Sequence, residues 1–118
     1  VHEGPQNISR RLVNVPLEPG MIVSNEPGYY KTGEYGIRVE NLVAVIRGGT
    51  PRHGEREMLR FETLTLAPID TRLVLTDMLS ASELEWLNTY HARVRETLMP
   101  LVDDVTAEWL KTATAAIQ

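Results

Sequence analysis

Two glutamates fourteen positions apart, Glu26 and Glu40, are the residues whose spacing most readily suggests chemistry. Glu26 follows the apolar run Met21-Ile22-Val23, and Glu40 precedes Leu42-Val43-Ala44-Val45-Ile46. The segment between them contains Gly28, Gly33 and Gly36, so 21–46 reads as a β-hairpin. A ladder centred on Gly33 sets Val23 opposite Val43, Met21 opposite Val45 and Glu26 opposite Glu40, with both carboxylates on one face. Like charges opposed in this way, with side chains about 4.5–5.5 Å apart, are destabilising. Such a pair calls for a cation, a shared proton or an arginine. Arg38 lies two residues before Glu40 on the same strand face and can neutralise one carboxylate but hardly both. The remaining charge suits a hard divalent ion, and carboxylate-bridged pairs of such ions serve hydrolysis. An exposed sheet face with an ordinary Arg38 ion pair accounts for the spacing equally well.

The residue types around the pair are more specific. Val1-His2-Glu3-Gly4-Pro5, Asn25-Glu26-Pro27-Gly28-Tyr29-Tyr30 and Gly36-Ile37-Arg38-Val39-Glu40-Asn41 occur in that order. Together they closely resemble the C-terminal half of the catalytic domain of Xaa-Pro aminopeptidases, the aminopeptidase P members of the two-metal pita-bread peptidases. Residues 61–70 and the helical tail after them resemble the extension found in the multidomain branch. The resemblance implies that Glu26 and Glu40 are two of the family's five protein ligands for a pair of divalent ions, most often manganese. It makes Glu26 also the general base or proton shuttle for the attacking water, and Glu40 a bridge between the ions. Arg38 would orient a carboxylate, and His2 would contact substrate and help to hold or polarise the scissile carbonyl. The substrate is then a peptide with proline in second position.

The other three ligands, two aspartates and a histidine, have no counterpart, since no Asp precedes Asp70. The chain alone is therefore expected to bind metal feebly and to be inactive, and it reads as an excised C-terminal piece of a longer protein. Two alternatives stand beside the aminopeptidase. One is a prolidase acting on Xaa-Pro dipeptides, against which the 61–70 extension argues. The other is a non-catalytic binding or oligomerisation module of the same fold.

Composition narrows the classes further. With 118 residues the chain is one domain or part of a larger one, and 42% hydrophobic residues suit a globular chain. A formal net charge of −4 argues against a nucleic-acid partner, which needs clustered Lys and Arg. The absence of cysteine excludes a disulfide scaffold and any thiolate metal site, and fits a reducing, cytoplasmic setting. No apolar run approaches the length of a membrane span.

The elements that must position these groups follow the apolar periods. Leu17-Glu18-Pro19-Gly20 is a turn ahead of the hairpin. A third strand is expected over 57–68, ended by Pro68. Ser82 and Glu85 have capping-box spacing for a helix carrying Leu84, Leu87, His91, Val94, Leu98 and Leu101 as one stripe. Pro100 closes or kinks it, and a shorter helix runs from Asp103 through Ile117. In this reading His91 is a core or boundary residue rather than a ligand, Trp86 and Trp109 are packing residues, and His53 belongs to a charged surface loop. The fold class is α+β, a remnant of a curved antiparallel pita-bread sheet followed by C-terminal helices. Residues 1–68 form the catalytic-domain part and 69–118 the helical extension, whose helices could mediate a homodimer.

Overall fold

A computed structural model describes residues 4–118. The chain divides into two compact units, one ending at Thr65 and one beginning at Leu66.

The first unit is antiparallel sheet. Pro19 and Gly20 form the turn from Glu18 to Met21, in which Gly20 takes φ 95° and Met21 N–H donates to Glu18 O. Strands β1 (Ile22–Asn25) and β4 (Asn41–Gly49) pair with Val23 against Val43, and β2 (Gly28–Lys31) and β3 (Tyr35–Arg38) pair with Tyr30 against Gly36. The two ladders share one count, centred on Gly33, which holds φ 74° in the connecting turn. Pro27 explains the break between them. Val39 N–H donates to Pro27 O, but proline has no N–H to return the bond. In β1 and β4 the odd-numbered residues turn inward: Val23, Val43 and Val45 are buried.

Strand β5 (Met58–Thr63) adds to the other edge of β4, with Val45 against Phe61 and a bulge between Arg47 and Gly49. The strand is shorter than the 57–68 its composition suggests. After Leu64 N–H bonds Leu42 O, the Leu42 N–H is taken by the Thr65 hydroxyl, and this side chain ends the ladder.

The second unit holds α1 (Ala81–Leu98) and α2 (Asp104–Ala113), linked by a tight turn over Met99–Leu101. Its core is Tyr90, Val94 and Leu110, with Leu66, Ile69, Leu98 and Met99 packed against it. The N-cap of α1 is Ser80, not Ser82. Ser80 Oγ accepts from Glu83 N–H while the Glu83 carboxylate accepts from Ser80 N–H. With this cap the staple positions before the cap and at the fourth helical residue fall on the half-buried leucines Leu79 and Leu84. The stripe Leu87, His91 and Val94 is buried, but Leu101 is 74% exposed because the turn at Pro100 changes the angular step per residue.

Helix α2 is capped by Asp103, whose carboxylate accepts from Thr106 N–H. It stops at Ala113 rather than reaching Ile117. The Asn88 amide takes both the N–H and the C=O of Ile117, each at 3.0 Å, and so replaces the helical partners of that residue. Trp86 and Trp109 remain half-exposed, Trp86 stacking parallel on Tyr90 with centroids 5.4 Å apart.

Candidate active site

The hairpin count that buries Val23 and Val43 places the even-numbered residues on the opposite face. Ser24, Glu26 and Tyr30 come from the first arm, Arg38 and Glu40 from the second, and the count sets Glu26 level with Glu40. Arg38 joins them. Its Nη1 lies 2.6 Å from Glu26 Oε2 and 3.7 Å from Glu40 Oε2, while Nε donates to the Tyr30 hydroxyl at 2.8 Å. Ser24 Oγ donates to the other Glu26 oxygen at 2.6 Å. The hydrogen bond to Tyr30 first, and the nearby Glu26 carboxylate after it, hold the Arg38 guanidinium above its ordinary pKa. One arginine hydrogen-bonds Glu26 and only approaches Glu40, in keeping with a single positive charge that can neutralise one carboxylate but hardly both.

Glu26 is the more sheltered of the pair, its side chain 23% exposed against 40% for Glu40. A cavity of about 200 Å³ opens beside it, lined by Gln6, Ser9 and Ser24 among others. A larger hollow in the second unit, between 68–72 and Trp109, gathers no comparable chemistry. Its ion pair is Asp70 with Arg72, which holds the Asp70 carboxyl down to about 2.

Two further residues emerge here. Ser24 and Tyr30 both engage the triad, and both carry the parity of Glu26 and Arg38, which is the signal that could have marked them. The tyrosine pair divides accordingly: Tyr30 meets Arg38, while Tyr29 turns to the other face against Tyr35. His2 lies outside the described residues. His53 sits with φ 65° in the turn after β4 and joins no metal-binding group among the described residues.

For a metal, Glu26 and Glu40 offer hard oxygen donors on one face, and each carboxylate oxygen has a lone pair beyond the bond it already makes. The donor type fits a divalent ion. The number does not complete a site: among the described residues no group of three or more His, Cys, Asp or Glu is gathered.

Residues 1–47 match the profile of metallopeptidase family M24, and residues 57–117 match that of the C-terminal region of peptidase M24. The chain belongs to the M24 metallopeptidase family. As an M24 chain it is 52% identical over 113 residues to Aminopeptidase P2 of Arabidopsis thaliana, covering 93% of this chain and 16% of that protein. It is 44% identical over 119 residues to Aminopeptidase P1 of Lotus japonicus, covering 99% of this chain and 18% of that protein. The crystal structure of X-prolyl aminopeptidase from Caenorhabditis elegans, described as a cytosolic enzyme with a di-nuclear active site, superposes with a TM-score of 0.86 at 36% identity. The match covers 99% of this chain and 20% of that one. This M24 chain thus spans a fifth or less of these relatives. The α+β class, antiparallel sheet followed by C-terminal helices, agrees with that neighbour. Among the described residues no helix is long and apolar enough to cross a membrane.

Proposed function

We propose that this chain is the C-terminal part of a Xaa-Pro aminopeptidase, with residues 1–68 completing the catalytic domain and 69–118 forming its extension. The observation that carries the reading is the Glu26–Arg38–Glu40 constellation on one sheet face of an M24 chain. The parent hydrolyses the bond between an N-terminal residue and a following proline, whose nitrogen carries no hydrogen for a general peptidase to recognise. Glu26 and Glu40 would hold two divalent ions, manganese in this reading, together with ligands from the rest of the protein. When bound, the ions supply an activated water and polarise the peptide carbonyl.

The chain's own residues do the rest. Glu26 accepts the proton of the attacking water and passes it on, since a carboxylate can serve a metal at one oxygen and a proton at the other. Arg38 fixes the orientation of Glu26 and compensates the paired negative charge. His2 donates a hydrogen bond to the carbonyl oxygen as charge develops there. The parent acts in the cytosol and has no nucleic-acid or membrane partner. It pairs as a homodimer, a reading supported by the exposed apolar residues Val105 and Trp109, one turn apart on α2.

Calorimetric titration of Mn²⁺ into this chain and into the longer parent, with hydrolysis of an Xaa-Pro peptide followed in the same samples, tests the reading. Two ions and cleavage are expected in the parent only. A parent that neither binds nor cleaves overturns the assignment in favour of a binding module.

A further inference from the structure

Tyr30 and Arg38 each stand directly across the β2–β3 ladder from a glycine, Tyr30 from Gly36 and Arg38 from Gly28. Neither glycine has a positive φ, so the backbone does not require glycine at either position. The space does. A Cβ on Gly36 would lie 2.7 Å from Tyr30 Cδ1 and 3.0 Å from Cε1, and one on Gly28 would lie 2.9 Å from the Tyr30 hydroxyl and 3.0 Å from Cε2. The Tyr30 ring therefore lies along the sheet over both bare positions. In that posture its hydroxyl meets Arg38 Nε at 2.8 Å, with the guanidinium 5.9 Å from the ring centroid.

We infer that Gly28 and Gly36 are positioning residues: together they form a bed that lays Tyr30 flat, so that Tyr30 holds Arg38 against Glu26. The consequence for catalysis rests on the peptidase reading; the mechanical chain from glycine to arginine does not. Gly36 is the cleaner probe, because Gly28 also faces the Ile37 carbonyl oxygen at 3.0 Å whereas the near neighbours of Gly36 are Tyr30 ring atoms.

The test is nuclear magnetic resonance of the arginine Nε–H groups in the 118-residue chain, comparing the parent sequence with Gly36→Ala. The Arg38 Nε–H is expected to lose its protection from solvent exchange while the unfolding temperature stays level or rises, as alanine replaces glycine in a strand. A merely structural glycine would lower the unfolding temperature and leave the Arg38 signal alone. In a Tyr30→Ala background the same alanine has no ring to displace, so Gly36→Ala is expected to cause no further change. Full retention of Arg38 protection in Gly36→Ala overturns the inference, as does an equal effect of Gly36→Ala with and without Tyr30. In the longer enzyme Gly36→Ala is expected to lower kcat about tenfold with KM little changed. An Arg38 signal that loosens in a parent that cleaves no Xaa-Pro peptide defeats the peptidase reading and leaves the glycine bed standing.

Discussion

Arg38 Nη1 lies 2.6 Å from Glu26 Oε2 although twelve residues and a turn separate them in sequence. The hairpin register brings them level to within two residues, and Tyr30 fixes the guanidinium from its other side. Lysine cannot reproduce this, because an ammonium is a point charge without a planar fork. Arg38→Lys in the longer enzyme is expected to retain metal stoichiometry and to reduce kcat by more than tenfold. Calorimetry and steady-state kinetics on the same preparation check both parts.

Glu26→Gln keeps the shape of the side chain but removes its capacity to take a proton. In the longer enzyme it is expected to lower kcat on the order of 10²–10⁴-fold, the usual contribution of a general base. Hydrolysis retained within threefold would remove Glu26 from that role.

His91 is fully buried, and its Nε2 accepts from Ile69 N–H at 3.1 Å, which requires the neutral ring. Burial chiefly, with the charge of Arg95 adding to it, depresses its pKa. The unfolded chain therefore binds the proton more readily than the folded one. Stability is full above the unfolded value of about 6.5 and declines as pH falls below it. Urea midpoints are expected to drop between pH 7 and 5 in the native chain, and to vary less in His91→Leu. That variant should also be weaker at pH 7 by about 1–3 kcal/mol, because the Ile69 N–H loses its acceptor.

Ser80→Ala is expected to destabilise the second unit by about 1 kcal/mol, the usual value of an N-cap. Ser82→Ala should be nearly silent, since Glu83 N–H donates to Ser80. Chemical denaturation of the two variants separates them.

Asn88→Ala removes both bonds to Ile117. Amide exchange at residue 117 is expected to rise strongly while that of α1 changes little, read by hydrogen exchange with mass spectrometry.

The hairpin was legible in the sequence because two independent signals agreed. The apolar residues Val23, Val43 and Val45 share one parity, and Gly33 offers a symmetric turn for the same count. Glu26, Arg38 and Glu40 then fell on the other parity without any tertiary information. Parity also separates Tyr30 from Tyr29, but aromatic residues at a strand end suit either face, so residue type alone does not mark Tyr30 as a site residue. Ser80 and Ser82 each precede a glutamate by three residues, so spacing alone left the cap open. Helix α2 ends at Ala113, where Arg95 on another helix takes the Thr114 carbonyl and, further on, Asn88 holds Ile117, and such long-range partners leave no local trace.

The parity of the hairpin has a consequence for how this segment can vary. One ruler measures both the valines that fold it and the charged residues that face outward. Adding a single residue between Lys31 and Tyr35 would slide one arm by a step and exchange the two faces, turning Arg38 and Glu40 toward the interior and Val43 toward water. Length changes in that turn are therefore tied to the fold and the reaction at once. Substitutions on either face are free to accumulate separately, but the turn that joins the arms inherits the constraints of both.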